Sequence, residues 1–122
     1  MADEIIVGVS LGVVKGALVN RYINQCSATM NGTHMESKVQ DIGSATHEIL
    51  SLGTDFANMG WIYLKNTDTT NDVSFGLDNT GTFLPLINLK AGEGCVVRLI
   101  TKNVYAKSSA GTVQLIFCAF ED

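Results

Sequence analysis

Between Gly60 and Asp78 the chain reads GWIYLKNTDTTNDVSFGLD, which places Asp68, Asp72 and Asp78 among asparagines and threonines. Clustered loop carboxylates are the raw material of a calcium site. Such a site wants acids at alternate positions, a glycine at the sharp bend and a closing acid. Here Asp68 and Asp72 stand four apart with no glycine between them. Asn and Asp also bond their own backbone two residues on and tolerate left-handed backbone. The spacing therefore predicts a corner between two strands, set by Asn66, Asp68 and Asn71, rather than a metal loop.

The other groups capable of chemistry are scattered. The only histidines are His34 and His47, and Cys26, Cys95 and Cys118 form no C-x-x-C pair. That spacing offers no zinc site, and nothing local supports a Cys–His dyad. The hydrolase elbow, zincin, Walker and dinucleotide fingerprints are missing. Ala91–Gly94, AGEG, reads as a turn, because no Lys-Ser/Thr and no helix follow it to cradle a phosphate. Asn31-Gly32-Thr33 fits the glycosylation sequon, with no secretory signal beside it. The expectation is a protein that is no enzyme, with no catalytic residue, no metal ligand and no cofactor. Trp61, Tyr63 and Tyr105 could stack on a sugar ring. They keep a carbohydrate- or receptor-binding module as the alternative function, although Trp61 beside Ile62 reads as core.

Composition narrows the class. A chain of 122 residues suits one domain. Apolar residues make up 46%, enough for a core, while charged residues make up 16%, below the usual quarter or so. Net charge is −4 and no basic stripe exists, which argues against nucleic acid as a partner. No stretch nears the ~20 apolar residues that cross a bilayer, so no membrane partner is expected. The start, MADEIIVGVSLGVVKG, opens with acids and lacks a basic n-region, so it does not read as a signal peptide. An odd number of cysteines suits thiols acting as small buried hydrophobes, with a disulfide between subunits left open.

The elements that position these residues read as strands throughout. Short period-2 runs alternate with Gly, Asn, Asp, Ser and Thr, and no amphipathic helix of useful length is present. Strands are expected at Glu4–Val14, Ala17–Met30, Glu36–Ile42, His47–Leu52, Trp61–Asn66, Asp72–Leu77, Thr82–Leu89 (kinked at Pro85), Cys95–Thr101, Val104–Lys107 and Thr112–Phe120. Eight to ten short antiparallel strands in 122 residues predict an all-β, single-domain, jelly-roll-like β-sandwich. Core positions are expected at Trp61, Ile62, Leu64, Val97, Leu99, Leu115 and Phe117, with Phe56 plugging one end. The apolar stretches Ala2–Val14 and Thr112–Phe120 are the best candidates for core or subunit contact. Residues 1–14 read as an inter-subunit strand or arm, with Ile5, Ile6, Val7, Val9 and Leu11 at the interface, because a free strand edge is a template for another chain.

Taken in order, the KG after the first strand, QDIGSATHEILSLG, GWIYLKNTDTTNDVSFG, LPLINLKAGEGCVVRL and VYAKSSAGTVQLIFCAFED resemble a group of small bacteriophage virion proteins. In these, a strand ending in L-x-N-x-D-x-x-N-x-V-x-x-G is followed by L-x-A-G-E-x-x-x-x-R-L and a terminal strand pair. The likeness runs from about Lys15 to Asp122, and its motifs are patterned turns. It implies a β-sandwich component of a phage particle, either a capsid decoration (cement) protein or a small tail or connector component. It implies the major capsid protein or other virion proteins as partners, a homo-oligomer (trimeric on a capsid lattice), and a place in the virion after assembly in the host cytoplasm. The three cysteines lie outside that pattern.

Overall fold

The structure, a computed structural model, describes residues 4–53 and 56–122. Residues 1–3 of the expected arm and residues 54–55 of the loop before Gly60 lie outside the described residues. The fold is all-β and antiparallel, and among the described residues no helix forms. Ten strands follow in order: β1 (Ile5–Lys15), β2 (Leu18–Ala28), β3 (Met35–Ile42), β4 (Glu48–Ile49), β5 (Met59–Asn66), β6 (Val73–Asn79), β7 (Thr82–Leu89), β8 (Gly94–Arg98), β9 (Tyr105–Ser108) and β10 (Val113–Glu121). The chain divides into two compact units, Met1–Asn31 and Gly32–Asp122.

The first unit is a two-stranded ribbon in which β1 and β2 pair without interruption from Ile5↔Ala28 to Lys15↔Leu18. That register leaves a two-residue turn, Gly16-Ala17. Gly16 has φ +58°, the left-handed first position of the turn types whose twist matches a hairpin. The second unit holds two four-stranded sheets, ordered β3-β10-β5-β8 and β4-β9-β6-β7. Its pairs are nested: β3 with β10, β4 with β9, β5 with β8 and β6 with β7. The β6–β7 turn places Thr80 (φ 49°) and Gly81 (φ 92°) in the left-handed region, as a tight two-residue hairpin loop requires.

One core cluster draws on both sheets. Alternation on β5 buries Ile62 and Leu64, alternation on β10 buries Leu115 and Phe117, and Val73, Phe75 and Ala106 join them from β6 and β9. Val97 and Leu99 are half-buried and pack against this cluster. Phe56, 1% exposed, belongs to it. Trp61, expected in the core, is instead half-buried on the opposite face of β5. The cause is parity: Ile62 and Leu64 take the inward positions, so Trp61 and Tyr63 point outward. The expected strand His47–Leu52 shrinks to Glu48–Ile49, because the Leu50 N–H turns to the Val104 carbonyl and the Leu52 N–H folds back onto Leu50. At the bulge between Phe75 and Gly76, the β7 backbone comes so close that a Cβ on Gly76 would overlap the Leu84 carbonyl.

Candidate interaction surface

The three aspartates of the opening stretch go to three separate tasks. Asp68 Oδ2 accepts the Asn71 N–H at 2.6 Å and the Thr70 N–H at 3.0 Å. Those two bonds, Asn71 first, hold its carboxyl below the usual aspartate range. Asp72 Oδ2 accepts from Asn88 Nδ2 at 3.4 Å. Asp78 faces His47 Nε2 at 2.5 Å, and that hydrogen bond is the main cause of its lowered pKa. The corner is organised by Asn66, which is fully buried. Its Nδ2 donates to the Asn71 and Leu89 carbonyls at 2.9 and 3.1 Å, and its Oδ1 accepts the Asp68 N–H at 2.9 Å. With their acceptors turned onto the chain itself, these residues form a corner. Among the described residues no group of three His, Cys, Asp or Glu side chains is arranged to hold a metal.

Both histidines are tied to carboxylates. His47 stacks on Phe83 and meets Tyr105 edge-on, each at 5.3 Å between ring centroids. The cysteines lie on β2, β8 and β10, none on the sheet that carries this ring cluster. His34 Nδ1 lies 3.1 Å from Glu121 Oε1, which also accepts the Thr33 N–H, while Glu121 Oε2 accepts the Ala57 N–H at 2.7 Å. The Ala57 bond, then His34, brings the Glu121 carboxyl down to about 2. This knot ties the end of β10 to the 32–34 and 56–58 segments. The three aromatic residues weighed as a sugar platform are divided: Trp61 and Tyr63 lie on β5, Tyr105 on the other sheet. Arg98 covers the Trp61 ring at 5.9 Å.

The surface that remains unexplained by local structure is the ribbon. Nine of its large apolar side chains are exposed: Ile6, Val9, Leu11, Val13, Val14, Leu18, Val19, Tyr22 and Ile23. Side chains alternate along each strand, so the register places Ile5, Val7, Val9, Leu11 and Val13 on one face with Leu18, Tyr22, Cys26 and Ala28. The opposite face carries Ile6, Val14, Val19 and Ile23 with Gly8, Ser10 and Gly12. Of the five expected interface residues, Ile6, Val9 and Leu11 are exposed, Ile5 is half-buried and Val7 is buried. Four of the five share a face, and Ile6 lies on the other.

No protein-family model matches the chain, and no curated protein sequence matches it. At roughly 25 cal/mol per Å² and 1.5–3 kcal/mol per fully buried aliphatic side chain, each such residue represents about 60–120 Å². Nine of them, about two-thirds exposed, present on the order of 600 Å² divided between the two faces, so each face carries about 300 Å², the lower end of the largest apolar patch of an ordinary monomer. An isolated two-stranded hairpin is marginally stable in water.

The second strand's share of this surface escapes a sequence reading. LVNRYINQ looks polar, because Asn20, Arg21, Asn24 and Gln25 interrupt Leu18, Val19, Tyr22 and Ile23. The available signal was the Lys15-Gly16 turn: a two-residue loop there fixes which residues face β1. Glu121 carried no signal, since an acid ending an alternating run usually reads as solvated.

Proposed function

We propose that the chain is a structural component of a bacteriophage particle, most simply a capsid decoration (cement) protein that stabilises the head through contacts between subunits. The observation that carries this reading is the ribbon, whose nine exposed apolar side chains suit an element that is covered on assembly. The turn motifs that resemble virion proteins add to it. The nested strand pairs also support a jelly roll. If β3 to β10 are counted one to eight, the sheets read 1-8-3-6 and 2-7-4-5, the order given by folding one long four-pair hairpin over on itself, as in a double Greek key. A particle component needs a stiff body and complementary surfaces, and the buried Asn66 corner and Glu121 knot supply stiffness. Its partners are other copies of this chain and the major capsid protein or other virion proteins, in a virion assembled in the host cytoplasm.

The test is quantitative mass spectrometry on gradient-purified particles, with copy number taken relative to the major capsid protein. A ratio near one supports a decoration protein tiling the lattice. A ratio of a few per cent moves the chain to a tail, connector or vertex. Absence from the particle overturns the reading.

A further inference from the structure

The ribbon is a sheet of two strands, so β1 has β2 on one side and, among the described residues, no strand on the other. Which backbone groups face that outer edge follows from the turn. A two-residue hairpin loop closes on a pair that exchanges both of its hydrogen bonds, here Lys15 and Leu18. Lys15 and every second residue before it therefore turn N–H and C=O toward β2. Ile6, Gly8, Ser10, Gly12 and Val14 turn theirs outward. Edge strands are ordinarily blunted by charge, proline or a bulge. From Ile5 to Val14 this one has no charged residue and no proline, and its pairing with β2 is unbroken. The opposite edge, on β2, carries Arg21 within its length.

We infer that the outer edge of β1 pairs antiparallel with the same edge of a second copy, about a two-fold axis at Ser10. Two residues can stand opposite each other across this edge only if both aim their backbone groups at it or both aim them away. Opposed residues are thus both even-numbered or both odd-numbered, and the axis passes through a residue and its own counterpart. The stretch Ile6–Val14, IVGVSLGVV, reads nearly alike in both directions from Ser10. Centred there, Val9 meets Leu11, Gly8 meets Gly12, Val7 meets Val13 and Ile6 meets Val14. Apolar side chains oppose apolar ones, and glycine opposes glycine, where two backbones approach most closely. A shift of the centre by one residue breaks the match. About Val9, Ile6 falls opposite Gly12 and Val14 opposite Glu4. About Leu11, Gly8 falls opposite Val14 and Val7 opposite Lys15.

Charge selects the direction. Residues 1–31 carry Asp3, Glu4, Lys15 and Arg21 and are neutral, so two ribbons meet without net repulsion. Their acids precede β1 and Lys15 ends it. Glu4 is fixed at its end by accepting the Met30 N–H at 3.1 Å. In the antiparallel register Lys15 stands opposite Ile5 of the second copy, one position from Glu4, and the same contact recurs at the other end. A parallel, in-register pair would set Lys15 beside Lys15 and Glu4 beside Glu4, which is unfavourable. The product is a four-stranded sheet, β2-β1-β1-β2. Two strands are marginal alone, and three or more with a hydrophobic face are what independent stability needs. The contact is isologous, the same patch on both copies, so it closes as a dimer and does not propagate. The inference deepens the reading of the ribbon as a contact between subunits and rests on that reading, and not on which particle the chain joins.

The experiment is disulfide trapping in the full chain with Cys26→Ser, using Val9→Cys and Leu11→Cys in separate copies. In this register the two positions are directly opposite, a non-hydrogen-bonded pair with Cα atoms about 4.5 Å apart, within disulfide reach. An equimolar mixture, oxidised, should give the mixed dimer, read by intact mass and peptide mapping. Each variant alone should not link at its new cysteine, because a residue and its own counterpart are then diagonal neighbours about 7–8 Å apart, too far for a disulfide without backbone movement. Val9→Cys or Leu11→Cys linking to itself moves the axis and overturns the inference. No mixed dimer from a chain that sediments as an oligomer also overturns it, and leaves contact between subunits standing. A chain monomeric at all concentrations overturns it too, while copy number in the particle still judges the structural reading separately. Ser10→Pro is the second measurement. The Ser10 N–H lies outside the β1–β2 ladder, so the hairpin is kept, as circular dichroism checks. The dimer loses two hydrogen bonds, one from each copy, and self-affinity in sedimentation velocity should fall about ten- to a hundredfold. Unchanged self-association would overturn the inference.

Discussion

Replacing Asn66 with alanine should cost about 4 kcal/mol. The side chain is fully buried and holds three backbone groups: the Asn71 and Leu89 carbonyls and the Asp68 N–H. Alanine abandons all three. The Leu89 carbonyl belongs to a residue 5% exposed and suffers most of the desolvation penalty of an unpaired group, about 1–3 kcal/mol. The other two lie at the half-buried corner and rehydrate, so each loses only the net worth of a hydrogen bond, about 0.5–1.5 kcal/mol. At about 2.1 cal/mol/K per residue, the roughly 90 residues of the 32–122 unit unfold with an entropy near 0.2 kcal/mol/K, which puts the fall in Tm at about 20 °C. The assay is urea unfolding followed by circular dichroism and by Trp61 fluorescence. The midpoint should fall with m unchanged. A loss below about 1 kcal/mol would refute the view that a buried amide organises this corner, and the Asp68 cap would have to carry it instead.

Three further outcomes follow from other parts of the fold. Glu121 titrates at about 2 in the folded chain against its usual 4.5, so its stabilising effect is complete above pH 4.5 and is lost as pH falls toward 2. Urea midpoints between pH 4.5 and 2 should therefore fall more steeply for the unaltered chain than for Glu121→Gln, and equal slopes would refute the knot. Gly76→Ala drives a methyl into the Leu84 carbonyl and the Pro85 Cα, and should cost about 3 kcal/mol or more in the same unfolding assay; a neutral result would mean that β7 can draw back from the bulge. Cys26 is exposed, whereas Cys95 and Cys118 are half-buried and burial raises the Cys95 thiol pKa. A maleimide should label Cys26 first, at least about tenfold faster than Cys95, as read by mass spectrometry of the intact chain.

How far the sequence foretold this depends on where each residue's partners lie. Ile62 and Leu64, Leu115 and Phe117 were legible because a period-2 run buries one parity whatever its neighbours are. Trp61 was misplaced because bulk was weighed above parity. The Asn66–Asp68–Asn71 corner was legible because its bonds are local, within a few residues. The Glu121 knot was not, because it joins residues separated by 64 to 88 positions, and spacing along the chain carries no trace of such a meeting. The ribbon was legible as an apolar first strand and missed as an apolar pair.

The position of β10 sets when its sheet can close during synthesis. It is the tenth strand to be translated, yet it lies between β3 and β5. At about 5–20 residues per second, β3 leaves the ribosome roughly 4–16 s before the strand it must pair with is complete. The ribbon's own pairing needs nothing downstream, and a hairpin closes in about 1–10 μs, though alone it stays only marginally stable. Each nascent chain therefore carries an apolar ribbon, closing and opening, for seconds while its own body is still unfinished.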